Sequence, residues 1–134
     1  MAYIYYNEGK IEEAYKIIKA VVDKSHGTSI SALEYLILLL DEKRKSASTL
    51  REVREMESSQ FRHTLRLYAL TGDPHLLYDL GSSAERMGER KRAIRLYQQA
   101  KNNLPDNDPL KRDALKKIGV LQQAKDAYHA EKNL

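Results

Sequence analysis

The stretch Leu80–Pro105, LGSSAERMGERKRAIRLYQQAKNNLP, decides the fold. Read at 3.6 residues per turn, Gly81 and Ala84 fall on one face of a first helix, and Ala93 and Ala100 fall on one face of a second. Small residues at these points let two helix backbones approach closely. Leu77, Leu80, Ile94, Leu96 and Tyr97 are placed to fill the space between the helices and against their neighbours. Gly88 permits the tight turn between them, and Pro105 stops the second helix. A helical pair of this kind cannot bury its apolar faces alone and needs stacked neighbours.

Working outward, the punctuation repeats. In TGDPHLL, Gly72 suits the left-handed residue that closes a helix, Asp73 suits an N-cap and Pro74 the first helical position. In LPDNDPLKRDA, Asp108 and Pro109 repeat the cap-plus-proline start. KSHGTSIS, Lys24–Ser31, reads as a loop rich in caps. Alternating apolar and polar runs are lacking, so the pattern predicts helices at roughly 2–8, 10–24, 29–43, 47–57, 60–71, 74–87, 89–103 and 109–131 and no strands. Short connections between them imply antiparallel neighbours.

With Pro74 as the first position, Leu77, Leu80, Gly81, Ala84, Gly88, Ala93, Tyr97, Ala100 and Pro105 take the places at which the tetratricopeptide repeat, a helix–turn–helix unit of about 34 residues, carries its signature. The segment resembles that family, with Leu77 standing for the usual Trp and Ala84 for a Tyr. A second, partial resemblance lies in YYNEGKIEEAYKIIKAV, where Gly9 and Ala14 repeat the spacing of Gly88 and Ala93. The middle fits loosely, with Leu33, Leu36, Leu40, Val53 and Met56 at apolar signature positions, Thr49 in place of an Ala, and an extra helix before the clear repeat. The resemblance implies an all-α fold, an antiparallel helical-hairpin solenoid irregular in its middle, with 1–134 as a single domain. It implies a protein-binding scaffold, an adaptor or chaperone that holds a peptide or helix of another protein in a groove. The groove positions would be His75, Tyr78, Ser82 and Glu85, continued near Arg112 and Lys116. The Lys and Asn with which some relatives grip a C-terminal carboxylate are absent from the clear repeat.

Composition narrows the function classes. Apolar residues make up 42% and charged residues 31%, a globular and not a disordered balance. There is no cysteine, which excludes thiolate chemistry and disulfides. That lack fits a reducing compartment, and MAYIYYNEGK shows no basic-then-apolar leader, so the expectation is a cytoplasmic protein; a removed signal peptide would leave the same sequence. The most apolar run, YLILLL at Tyr35–Leu40, is far shorter than the ~20 residues a membrane helix needs, so no membrane insertion is expected. His26, His63, His75 and His129 are scattered, and Asp126 with His129 reads as a solvated helix end, not half a metal site. No catalytic constellation, metal set or cofactor motif is present, so no enzyme is expected.

Two features carry other readings. Arg86, Arg90, Lys91, Arg92 and Arg95 form a dense basic run in a chain of net charge +4, with Arg62 and Arg66 elsewhere. The run suits an acidic peptide or, as the alternative function, nucleic acid; as a plain solvated face it would have Glu85 and Glu89 as partial partners. Tyr3, Tyr5 and Tyr6 crowd the N-terminus and suggest either core packing or a homo-oligomer contact.

Overall fold

The computed structural model describes the backbone of residues 11–132 and the side chains of residues 11–124. The expected helix at 2–8, the tyrosines at 3, 5 and 6, and Asp126 with His129 lie outside the described side chains. Among the described residues six helices follow one another: α1 (Ile11–Lys24), α2 (Ile30–Lys45), α3 (Leu50–Thr71), α4 (Pro74–Arg86), α5 (Arg90–Asn103) and α6 (Pro109–Lys132). No strand occurs among the described residues. The chain divides into two compact units, Met1–Gly72 and Asp73–Leu134.

In the first unit α1 packs on α2, and α2 on α3. Ala14 and Leu39 are fully buried against each other, with Ile11, Ile17, Ile18 and Tyr35 around them. The apolar run of α2 buries Leu36, Leu39 and Leu40 and leaves Leu38 exposed, as one turn of an amphipathic helix should. Lys43 of α2 reaches back across α1, paired with Glu12 and lying 4.3 Å from the ring centre of Tyr15. Ser29 caps α2 by accepting from the Ala32 N–H, and Thr49 caps α3 by accepting from the Glu52 N–H. Gly72 closes α3 at φ 67°, donating to the Tyr68 carbonyl at 2.7 Å.

The expected break between helices at 47–57 and 60–71 does not exist. Leu50–Thr71 is one helix of 22 residues. Ser58 and Ser59 lie between the two expected segments, but serine in a helix interior costs only a few tenths of a kcal/mol, and neither Gly nor Pro interrupts the run. The repeat phase changes with it. The fourth, eighth and eleventh residues of α5 are Ala93, Tyr97 and Ala100, all fully buried. The same places of α3 hold Val53, Glu57 and Gln60, and the buried stripe of α3 runs Glu57, Gln60, Thr64 and Leu67. Met56, expected on the apolar stripe, is only half-buried. The cause is α2, which has 16 residues against the 13 of α4 and so delays the start of its partner helix.

In the second unit α4 packs on α5, and α5 on α6. Leu77, Leu80 and Ala84 from α4, Ala93, Tyr97 and Ala100 from α5, Leu104, and Ala114 with Ile118 from α6 form its core. Gly81 is required by contact: a Cβ there would stand 2.8 Å from Cδ1 and Cε1 of Tyr97. Gly88 takes φ 78° in the turn. Leu104, before Pro105, is extended at ψ 146°, as a residue preceding proline must be. Asp73 and Asp108 cap α4 and α6 as expected, accepting from the N–H groups of His75 and Leu110.

Candidate partner-binding face

The stripe His75, Tyr78, Ser82 and Glu85 rises along α4 at spacings of 3, 4 and 3, which keeps all four on one side of the helix. Each is engaged by a group from beyond α4's own turn. The exposed His75 imidazole lies between two carboxylates, its Nδ1 2.9 Å from Asp73 Oδ1 and its Nε2 2.6 Å from Asp108 Oδ2. Hydrogen bonding to Asp73 first, then to Asp108, holds the imidazole above its ordinary value. The hydrogen bond from His75 pulls the Asp73 carboxyl below its usual range, and the Leu110 N–H does the same for Asp108. The two carboxylates bind opposite edges of one ring and do not converge on a cation. No group of three or more His, Asp or Glu among the described residues is arranged to hold a metal.

One turn on, the Tyr78 hydroxyl donates to Asp113 Oδ2 of α6. Burial, then that carboxylate, pushes the phenol up to about 12. Its ring meets that of Tyr97 at 5.3 Å between centroids, tilted by 58°. The fully buried Tyr97 sends its hydroxyl to the same side of α4, donating to Glu85 Oε1 at 2.8 Å and lying 3.1 Å from Ser82 Oγ. Burial raises the Tyr97 phenol further still. The face is therefore a ladder of rungs, His75 to α6, Tyr78 to α6 and α5, Ser82 and Glu85 to α5. Each carboxylate keeps acceptor positions beyond the one it uses.

The structure brings His75, Tyr78, Ser82 and Glu85 together as the sequence implied, but it does not add Arg112 and Lys116 to them. Both are exposed on α6, and the residues of α6 and its cap that meet the stripe are Asp108 and Asp113. The signal was present. Counted from Pro109 as Tyr78 is counted from Pro74, the fifth residue is Asp113. The face is thus acidic where a basic continuation was expected. The basic run of α5 lies elsewhere: Lys91, Arg92 and Arg95 are exposed and Arg90 half-buried. Arg92 pairs with Glu89 at 2.9 Å, and Arg86 donates to Ser83 Oγ. Glu85, expected as a partner for this run, serves Tyr97 instead.

Residues 75–107 match the family model for the tetratricopeptide repeat. No curated protein matches the chain in sequence. Among solved structures, PcrH in complex with the chaperone binding region of PopD superposes with a TM-score of 0.64 at 13% identity, over 92% of this chain and 87% of that one. The type III secretion translocator chaperone SycD of Yersinia enterocolitica gives 0.65 at 16% identity, over 93% of this chain and 81% of that one. SycD in complex with a peptide of the translocator YopD gives 0.65 at 16%, over 92% and 88%. The chain therefore carries a tetratricopeptide repeat at residues 75–107, within an all-α fold of helical hairpins of the tetratricopeptide type.

Proposed function

We propose that the chain is a binding scaffold, an adaptor or chaperone that holds an extended or helical segment of a partner protein on the α4 face. The observation that carries this reading is the ladder itself. Tyr78, Ser82 and Glu85 are half-buried and His75 is exposed, so four polar or aromatic side chains stand in a line at fixed orientation. Fixed groups lose little freedom when a ligand arrives, and an aromatic among them is the usual anchor. The fold relatives PcrH and SycD hold segments of the proteins PopD and YopD, which supports the same kind of use for this fold. The surplus of carboxylates, Asp73, Glu85, Asp108 and Asp113 against His75, selects a segment with Lys, Arg or amide groups. The acidic segment first expected would instead require the basic run Arg86, Arg90, Lys91, Arg92 and Arg95. A cytoplasmic place of work and self-association through Tyr3, Tyr5 and Tyr6 belong to this proposal as expectations; no described helix is long and apolar enough to cross a membrane.

Selection of displayed 12-residue peptides on the immobilised full chain tests it. Enriched peptides should carry basic and apolar side chains and should lose most of their affinity for a Tyr78→Ala, Glu85→Ala double variant whose circular dichroism is unchanged. Peptides that bind that variant as well as the parent would move the site off this face.

The alternative, nucleic-acid binding on the basic surface from the end of α4 along α5, is favoured only by Arg86, Arg90, Lys91, Arg92 and Arg95. The Arg92–Glu89 pair and the lack of interleaved aromatic rings weaken it.

A further inference from the structure

The link between α1 and α2 ends in an unusual way. The Gly27 N–H donates to the Val22 carbonyl at 2.8 Å and the His26 N–H to the Asp23 carbonyl at 3.1 Å, which is a Schellman closure of α1. At the end of α4 the same two bonds, Glu89 to Ala84 and Gly88 to Glu85, place Gly88 in the left-handed position. At the end of α1 that position is filled by His26, at φ 55°, the one non-glycine with positive φ among the described residues. A side chain there is strained where glycine is not. Gly27 follows at φ 71° and is buried because Arg66 lies on it: Arg66 Nε is 3.2 Å from where a Gly27 Cβ would stand.

These residues border a cleft of about 560 Å³ inside the first unit. Arg62, His63 and Arg66 enter from one side of α3, and His26 enters from the strained turn. Val22 and Leu33 supply apolar walls, and Asp23 is the single carboxylate. Arg62 and Arg66 stand four residues apart and so share a helix face. Neither has an ion-pair partner among the described residues. His63 donates Nδ1–H to the Ser59 carbonyl at 2.7 Å, which fixes its tautomer and leaves Nε2 as the nitrogen not so bound. The cleft thus gathers two permanent cations and two imidazoles against one acid, with one guanidinium laid on a glycine and one imidazole held in a conformation that the backbone alone disfavours.

We infer that this cleft is an oxyanion site, taking the carboxylate or phosphate group of a small ligand. Two guanidinium forks on one helix face suit the paired oxygens of such groups, and His26 and His63 add donors when protonated. The site lies in the first unit, away from the α4 ladder in sequence, and stands without the partner-binding proposal.

The test titrates the full chain with inorganic phosphate and, separately, with succinate, at constant ionic strength balanced by chloride. Nuclear magnetic resonance reads the Nε–H signals of Arg62 and Arg66 and the rings of His26 and His63. Saturable shifts at millimolar concentration are expected. An Arg62→Ala, Arg66→Ala variant should bind roughly tenfold or more weakly, as loss of charge-assisted hydrogen bonds implies. His26→Gly should keep or raise the thermal midpoint while weakening binding, a combination that a purely structural His26 would not give. Saturation by phosphate alone assigns a phosphate ligand, by succinate alone a carboxylate, and by both the shared oxyanion chemistry. Linear, unsaturated shifts with both anions, or undiminished affinity in the double arginine variant, would overturn the inference.

Discussion

At the scale of the residue, Gly81 and Tyr97 are two halves of one contact. Gly81→Ala places a methyl group 2.8 Å from the Tyr97 ring, and that ring is fully buried, tilted against that of Tyr78 and tied through its hydroxyl to Glu85. It has nowhere to retreat, so the substitution should lower stability by about 1–3 kcal/mol, read as a drop in the thermal midpoint. His75 gives a second prediction, this one in pH. Its imidazole is raised by Asp73 and Asp108, so its contribution to stability is complete below the ordinary value of 6.5 and is lost as pH climbs through the raised one. The two carboxylates are lowered, so theirs is present above 3.8 and is lost as pH falls. The difference in thermal midpoint between the parent and His75→Asn should therefore be largest between these two values and shrink toward pH 9. The His75 ring protons should titrate above 6.5. A difference flat across pH would mean that the clamp contributes nothing to stability.

At the scale of the element, the second unit was legible throughout and the first only as far as α2, for a reason that particular residues show. Gly72, Asp73, Pro74, Gly88, Pro105 and Asp108 fix helix ends by chemistry that acts locally, so they could be read directly. The buried stripe of α3 depends on how long α2 runs before it turns, and no glycine or proline marks that turn. A shift of a few residues therefore moved Val53 and Met56 off the stripe and put Glu57 and Gln60 on it. Within the candidate face, His75, Tyr78, Ser82 and Glu85 followed from the resemblance to the repeat, whose groove positions they hold. Asp113 was missed because the groove was continued only approximately, to Arg112 and Lys116, whereas the register that matches Tyr78 falls on the fifth residue from Pro109. Two substitutions test the elements. Ala93→Leu adds bulk where α5 is fully buried against its neighbours and should cost about 1–3 kcal/mol in a thermal melt. Gln60→Leu should do the reverse. Gln60 Oε1 is buried without a hydrogen-bond partner among the described residues, and replacing it with an apolar group of similar size should raise stability by about 1 kcal/mol or more. A lower midpoint for Gln60→Leu would show that the oxygen is satisfied after all.

At the scale of the whole molecule, net charge and local charge point in different directions. The chain carries +4 overall, yet the α4 face is lined by Asp73, Glu85, Asp108 and Asp113. Net charge governs non-specific encounter, while the face governs what is kept. Affinity for random duplex DNA should consequently vanish near physiological salt. If the five cations from Arg86 to Arg95 did grip phosphates together, log K would fall against log salt with a slope of about −4 to −5, and that slope would transfer the function to this basic surface. The length of α3 has a further consequence. At 1.5 Å per residue, its 22 residues span about 33 Å and the 16 of α2 about 24 Å. The surplus of about 9 Å runs beyond the start of α2, where Arg66 meets Gly27. Arg66, the first residue past that overlap, lies on Gly27 in the α1–α2 loop and lines the cleft together with Arg62 and His63 of the preceding turn. A longer helix in one hairpin of a helical array thus brings side chains of its last turns against the loop that enters its partner, within the same all-α fold.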